Sequence, residues 1–378
     1  MVASVALALL GRTMEAISTA RHGLTLHARG ALLSQNAEAQ LIGSVLANRY
    51  AGQLTQAKLE ANDGYQAGIE MKNTEALATF CLLEGLVRVD SGDLVGAAQM
   101  FREGAIANEE INDRGPLRWC VAGAALVEAL AGRGAKAGDA IDRLDAMPEH
   151  WMAALDGDTI ARARAWTHAA AGDFSEARQV LHDQSAAAQT DERYASEMIL
   201  LHDLARLGEP EKVVERLAEL SSIIDGDLVS VLADHARAVV ARSRTGIESV
   251  ATQFANMGLT ILAAEAANQS ATACRREGLT RKAGAWDLRV ASLRQLCGEV
   301  RTPILSDTGD VQLLTARERE IAELAAAGAT TKEIAQRLYI SPRTAENHLQ
   351  RAFAKLGVNR RDQLVAALSI VVADPHDA

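Results

Sequence analysis

The chain has 378 residues, 48% hydrophobic and 3% aromatic, with a formal charge of −10 and four cysteines. This length and apolar content suffice for two or three buried cores, and they exclude a disordered chain or a small disulfide-stapled one. The acidic sum excludes a uniformly basic nucleic-acid binder, and no apolar run reaches the roughly 20 residues that a membrane-spanning helix needs.

The opening MVASVALALLG lacks the positive start of a secretory segment and is read as a helix. From there the text repeats. Gly11, Gly52, Gly92, Gly132, Gly172, Gly208, Gly246 and Gly278 are separated by 41, 40, 40, 40, 36, 38 and 32 residues. Five positions after each stand Ala16, Ala57, Ala97, Ala137, Ala177, Val213, Ala251 and Ala283. The segments SGDLVGAAQMF (91–101), AGDFSEARQVL (171–181) and LGEPEKVVERL (207–217) read alike: a helix end, a glycine turn, then a helix whose small residue allows close approach. A two-helix unit of this size cannot bury its own apolar face, so neighbours must stack into an α-solenoid. The pattern is similar to the tetratricopeptide repeat, in which a Gly-Asp-aromatic turn precedes alanine. It is longer and looser here, lacks the usual tryptophan and tyrosine signals, and drifts over the last three spacings. CLLEGLVRV and AALVEALAG are helical, and no alternating strand pattern persists. Residues 1–297 are therefore expected to form a tetratricopeptide-like helical-repeat domain.

Within it, Cys81, Cys120, Cys274 and Cys297 form no C-x-x-C and read as buried thiols of a cytoplasmic protein. The histidines, His22, His27, His150, His168, His182, His202 and His235 among them, show no metal-ligand spacing. No phosphate-cradling G-x-x-x-x-G-K-[ST] occurs, and no nucleophile is grouped with a base. No enzyme activity, cofactor or metal is expected. Next comes CGEVRTPILSDTGDVQ, from Cys297 to Gln312, with Pro303 and Gly309 and no amphipathic period; residues 298–312 read as a linker, the alternative being an ordered loop on the last repeat.

Residues 313–372 change character, ahead of a short tail at 373–378. Thr315 with Glu318, Thr330 with Glu333 and Asn359 with Asp362 each pair a cap residue with a carboxylate three positions on. Ser341 followed by Pro342 supplies a fourth helix start, and Gly328 and Gly357 supply stops. Four helices are predicted, about 315–327, 331–338, 342–356 and 360–372. Apolar stripes run through Ile321, Leu324 and Ala325, through Ile334, Ala335 and Leu338, and through Leu364, Val365 and Leu368. In the third helix Ala345, His348, Leu349, Ala352, Phe353 and Leu356 fall on one side. The opposite side must show Arg343, Glu346, Asn347 and Gln350, flanked by Thr344, Arg351 and Lys355, while Lys332 opens the second helix. Asn and Gln can pair with adenine, Glu can accept from cytosine N4, and Arg and Lys neutralise phosphates or read guanine. A turn at Tyr339 and Ile340 makes the pair of helices a helix-turn-helix. Charge agrees: Thr315 to Leu368 holds nine Lys plus Arg against six Asp plus Glu, whereas Met1 to Leu314 holds thirty against forty-one. The large N-terminal part should repel DNA.

The segment resembles the DNA-binding domain of LuxR-type transcriptional regulators. Matching residues are Leu314, Thr315, Arg317, Glu318, Glu320, Gly328, Glu333, Ile334, Ala335, Leu338, Ile340, Ser341, Thr344, His348, Lys355, Leu356, Gly357, Val358, Arg361, Gln363 and Leu364. Ala345 departs from the valine more common there, and His348 is either a core-edge residue or a phosphate contact. The resemblance implies that the third helix is the reader, with base-facing positions at Glu346, Asn347 and Gln350, and that the protein binds promoter DNA as a homodimer. Leu364, Val365 and Leu368 are either that interface or simply core. Large LuxR-type regulators join an ATPase module, a helical-repeat region and this domain; the chain resembles only the last two. The expectation is an all-α transcription regulator of the cytoplasm: a tetratricopeptide-like α-solenoid that senses a protein, peptide or small-molecule effector, followed by a small four-helix helix-turn-helix domain. The alternative is an interaction scaffold with the C-terminal bundle as a docking piece.

Overall fold

In the computed structural model, residues 1–30, 38–148, 150, 153–298, 300–306, 316–356, 358, 360–364 and 368 are described, and all their regular structure is helical. The hairpins follow the glycine turns. They pair α1 (Val2–Leu9) with α2 (Thr13–Ala28), α3 (Leu41–Ala51) with α4 (Leu54–Glu70), and α5 (Thr74–Ser91) with α6 (Leu94–Glu110). Next come α7 (Arg114–Leu130) with α8 (Gly134–Asp145), α9 (Ala153–Ala170) with α10 (Phe174–Thr190), and α11 (Tyr194–Arg206) with α12 (Pro210–Leu220). Then follow α13 (Leu228–Val240), α14 (Arg244–Asn256), α15 (Thr260–Arg276) and α16 (Thr280–Cys297).

One turn shows the logic of the rest. Gly92 ends α5 at a φ of 86°, a left-handed conformation in which a side chain would be strained. Asp93 then caps α6 by accepting the Gly96 N–H at 2.8 Å. Ala97, four positions beyond the cap, is fully buried, as are Ala16, Ala57, Ala137 and Ala177, and Val213, Ala251 and Ala283 are at most 3% exposed. The small residues thus sit where paired helices touch. Gly246 corrects the sequence reading: it lies inside α14, and the left-handed turn residue before that helix is Arg242, with φ of 49°.

Backbones approach closely elsewhere too. Phe101 of α6 is fully buried, and a Cβ at Gly123 of α7 would stand 2.4 Å from its Cζ. At Gly85 of α5 a Cβ would stand 2.6 Å from its Cε1. The ring fills a notch that two absent side chains create.

Contacts divide the chain into two units: Met1–Ala241 with Met257–Leu259 and Cys297–Pro303, and Arg242–Asn256 with Thr260–Leu296 and Ile304–Ala378. The division falls after Ala241, within the stretch read from sequence as one repeat domain. In the first unit the chain returns on itself. Asp225 N–H donates to the Gly11 carbonyl at 2.9 Å, and Gly226 lies against Ala51. Between those ends α3 and α11 are buried along most of their length, and the charges they carry inside are paired. Arg49 meets Asp90, and Asp203 accepts from Arg162 at 2.8 Å, Arg206 at 2.6 Å and Trp166 Nε1 at 2.9 Å. Burial alone would raise the Asp203 carboxyl; the two guanidiniums reverse that and hold it well below the usual carboxylate range. The Arg206 guanidinium also lies 4.3 Å from the Trp166 ring centre.

Residues 300–302, expected to belong to a linker, lie against the turn after α7: Arg301 N–H donates to the Leu130 carbonyl at 2.8 Å, and Val300 and Thr302 are buried. Residues 307–312 fall outside the described residues. All four cysteines are buried thiols outside any disulfide, and burial pushes Cys81 up to about 12. Among the described residues no His, Cys, Asp and Glu cluster is arranged to hold a metal, and no helix is long and apolar enough to cross a membrane.

Candidate nucleic-acid interface

After a short turn, α17 (Pro303–Ser306), the C-terminal part of the second unit contains α18 (Ala316–Ala326), α19 (Thr331–Arg337) and α20 (Pro342–Leu356). A 3-10 turn follows at Arg361–Gln363. Of the predicted fourth helix, Leu364 and Leu368 are buried, whereas Val365 and 369–372 fall outside the described residues.

Local chemistry sets each element. Thr330 and Glu333 form a complete capping box at α19: the Glu333 N–H donates to the Thr330 hydroxyl at 3.3 Å, and the Thr330 N–H donates to the Glu333 carboxylate at 2.8 Å. Ser341 caps α20, its Oγ accepting the Thr344 N–H at 3.0 Å and lying 2.7 Å from the Thr344 hydroxyl. Gly328 is left-handed after α18, as the stop signal implies. The caps expected at Thr315 and Asn359, and the stop at Gly357, involve residues outside the described ones.

Ile321, Ala322, Ala325, Ile334, Ala335, Ala345, Leu349, Ala352, Phe353, Val358, Leu364 and Leu368 form one core, joined by Leu288 from α16. Burying a leucine or isoleucine stabilises by about 1.5–3 kcal/mol. That core fixes the roll of α20. Ala345 is fully buried, so the smaller side chain leaves the helix seated. His348 is half-buried at the edge of the core, and the side chains of Lys355 and Leu356 lie outside the described residues.

With that side sealed, the opposite side is presented. Arg343, Asn347, Gln350 and Arg351 are exposed, as is Lys332 on α19. Thr344 and Glu346 are half-buried. Glu346 is held inward by hydrogen bonds: its carboxylate accepts from the Thr331 hydroxyl at 3.0 Å and from Gln350 Nε2 at 3.0 Å. Those bonds, Gln350 first and Thr331 second, hold the carboxyl below its ordinary value.

The turn from α19 to α20 is short and strained. Tyr339 has φ of 52°, and Ile340 N–H closes the turn on the Ala335 carbonyl at 3.0 Å. Arg317 of α18 donates to the Leu338 carbonyl at 2.7 Å, satisfying the end of α19. Arg361 donates to the Ala329 carbonyl and, at 2.6 Å, to the Thr331 hydroxyl. The sequence placed Tyr339 in the turn but not among the site residues, and its side chain is 95% exposed there. An aromatic within the predicted turn was the available signal.

A helix of this diameter, with one polar side free and a second helix crossing ahead of it through a tight turn, has the shape that enters a major groove. The family described as bacterial regulatory proteins, luxR family, matches residues 312–368. Among similar proteins, the spore germination protein GerE of Bacillus subtilis is 54% identical over 56 residues, covering 15% of this chain and 76% of that one. A putative HTH-type transcriptional regulator of Mycobacterium tuberculosis is 48% identical over 52 residues, covering 14% of this chain and 6% of that one. The DNA-binding transcriptional activator DevR/DosR of the same species is 42% identical over 50 residues, covering 13% of this chain and 23% of that one. The family match takes in the C-terminal helices, and the two mycobacterial proteins are covered over less than a quarter of their length. The helix-turn-helix geometry, the family match and the extent of GerE that is covered agree: the chain belongs to the luxR family of bacterial regulatory proteins.

Proposed function

We propose that the protein is a sequence-specific DNA-binding transcription regulator that lays α20 in the major groove. The observation that carries this is the two-sidedness of α20. Ala345, Leu349 and Ala352 are buried, and Arg343, Asn347, Gln350 and Arg351 are exposed on the other side. Asn347 and Gln350 carry the donor and acceptor pairs that adenine presents. Lys332, Arg343, Arg351 and Lys355 supply phosphate neutralisation, and Thr344 adds a hydroxyl at the start of the helix. The relative names, transcription regulators and one DNA-binding activator, support the same reading.

Finer parts of the proposal concern the rest of the chain. The helical array takes an effector, protein, peptide or small molecule, and two copies meet on a two-fold half-site pair. The chemistry is binding alone, without an enzymatic step, in the cytoplasm. A second reading, the array as a partner-holding scaffold with the C-terminal helices as a dock, is favoured by the acidic excess of Met1 to Leu314, thirty Lys plus Arg against forty-one Asp plus Glu.

Titrating the full-length chain onto duplexes selected from a random pool, across a salt series, separates the two. Four phosphate-neutralising cations give a slope of log K on log salt of about −3.6 for each recognition helix. The regulator reading expects that slope together with an enriched sequence; binding that ignores salt, or a pool without enrichment beside a stable protein partner, supports the scaffold instead.

A further inference from the structure

Resting on the DNA-binding reading above, we infer that Glu346 does not read a base but positions Gln350, holding its amide so that the edge complementary to adenine faces the groove. Four groups form a chain whose polarity chemistry fixes at every link. Arg361 can only donate, and its Nη2 lies 2.6 Å from the Thr331 oxygen. A carboxylate can only accept, so the Thr331 hydroxyl spends its single proton on Glu346, 3.0 Å away. Gln350 must likewise approach Glu346 through Nε2, at 3.0 Å, because its oxygen would meet another acceptor. The ambiguity of an amide's orientation is thereby removed.

The consequence lies in what Gln350 has left. One N–H is held by Glu346; the other N–H and Oε1 make the donor and acceptor pair that matches adenine N7 and N6. Each Glu346 oxygen already accepts a hydrogen bond from within the protein, so accepting from cytosine N4, the role its residue type suggested, would compete with those bonds. Arg361 is itself tied to the Ala329 carbonyl, so the chain starts from backbone rather than from another mobile side chain. Thr331 is half-buried at the first position of α19, the element ahead of the reader. The helix-turn-helix therefore sets the conformation of a reading side chain, not only the path of the helix that carries it.

The test is base preference, measured with full-length protein on the selected duplex and on its single-base-pair variants. Gln350→Ala is expected to lose about tenfold discrimination for adenine at one position. Glu346→Ala should lose discrimination at that same position while binding unrelated DNA somewhat better, since an anionic group has gone. Thr331→Val should show a smaller loss at the same position, and Thr331→Ser should restore wild-type preference. The double variant Glu346→Ala with Gln350→Ala should lose no more discrimination than Gln350→Ala alone. Loss at a different base pair, above all a cytosine, in Glu346→Ala makes Glu346 a reader in its own right and overturns the inference. Unchanged preference in Glu346→Ala overturns it too while leaving DNA binding intact. A wild-type chain that selects no duplex removes the underlying reading instead.

Discussion

Replacing Asn347 by alanine isolates the reading face from the fold. Asn347 is exposed on α20, and no hydrogen bond of its side chain occurs among the described residues. Its removal leaves no buried group unsatisfied, and alanine favours a helix interior over asparagine by up to about 0.7 kcal/mol. Thermal stability should therefore hold or rise slightly. A bidentate base contact is worth about 1–3 kcal/mol of discrimination, which is roughly 5- to 150-fold in affinity at one base pair. Anisotropy titrations of the full-length variant on the selected site, and on each single-base-pair change, should show the loss concentrated at one position. Mismatched duplexes at that position should bind wild type and variant alike. Arg351→Ala is the contrast: a similar loss on all sequences and a salt slope shallower by about 1. An Asn347→Ala loss spread equally over every duplex would refute the assignment of a reading side to α20.

Three further outcomes follow from the geometry. Tyr339→Gly should raise the melting temperature, because a left-handed residue with a Cβ costs about 1–2 kcal/mol and glycine does not carry that cost; a lowered melting temperature would mean that the exposed ring makes a stabilising contact. Gly123→Ala should destabilise by about 1–3 kcal/mol, since the new methyl group meets the buried Phe101 ring, and an unchanged urea midpoint would show that the notch is loose. Asp203→Asn should cost about 3 kcal/mol by leaving Arg162 and Arg206 without their counter-charge. Because the folded Asp203 carboxyl is held far below its usual range, its stabilisation is complete above the unfolded value of about 4 and fades as pH falls below it. Urea midpoints should accordingly drop less steeply on acidification in the variant than in wild type, and equal slopes would count against the buried ion cluster.

What could be read without coordinates was whatever local chemistry decides. The Thr330 and Glu333 box, the Ser341 cap and the stop at Gly328 each involve residues within three positions or one special φ, and all three occur. The glycine turns followed for the same reason, until Arg242 took the left-handed position that the spacing had assigned to Gly246. A single residue type was the signal there, and a strained arginine gives none. The outward set on α20 was legible because a six-residue stripe, apolar but for His348, fixes the roll of a helix whatever it packs on. The engagement of Glu346 was not, since its partner Thr331 lies 15 residues away and Arg361, which donates to Thr331, lies beyond the helix on the other side. The return of Asp225 to Gly11 spans more than 200 residues and leaves no local trace. Nor did Asp203, Arg162 and Arg206 look different from solvated charges, because burial of a helix on all sides depends on its neighbours.

The most direct measurement of the central claim is atom-by-atom interference across the selected site. Duplexes carrying 7-deazaadenine, which lacks the N7 acceptor in the major groove, would be tested at each position against duplexes altered only in the minor groove. Seating of α20 in the major groove requires weakened binding at the adenines facing Asn347 and Gln350, with minor-groove changes on the same base pairs tolerated. Equal affinity for every 7-deaza duplex, with sensitivity to phosphate neutralisation alone, would contradict it.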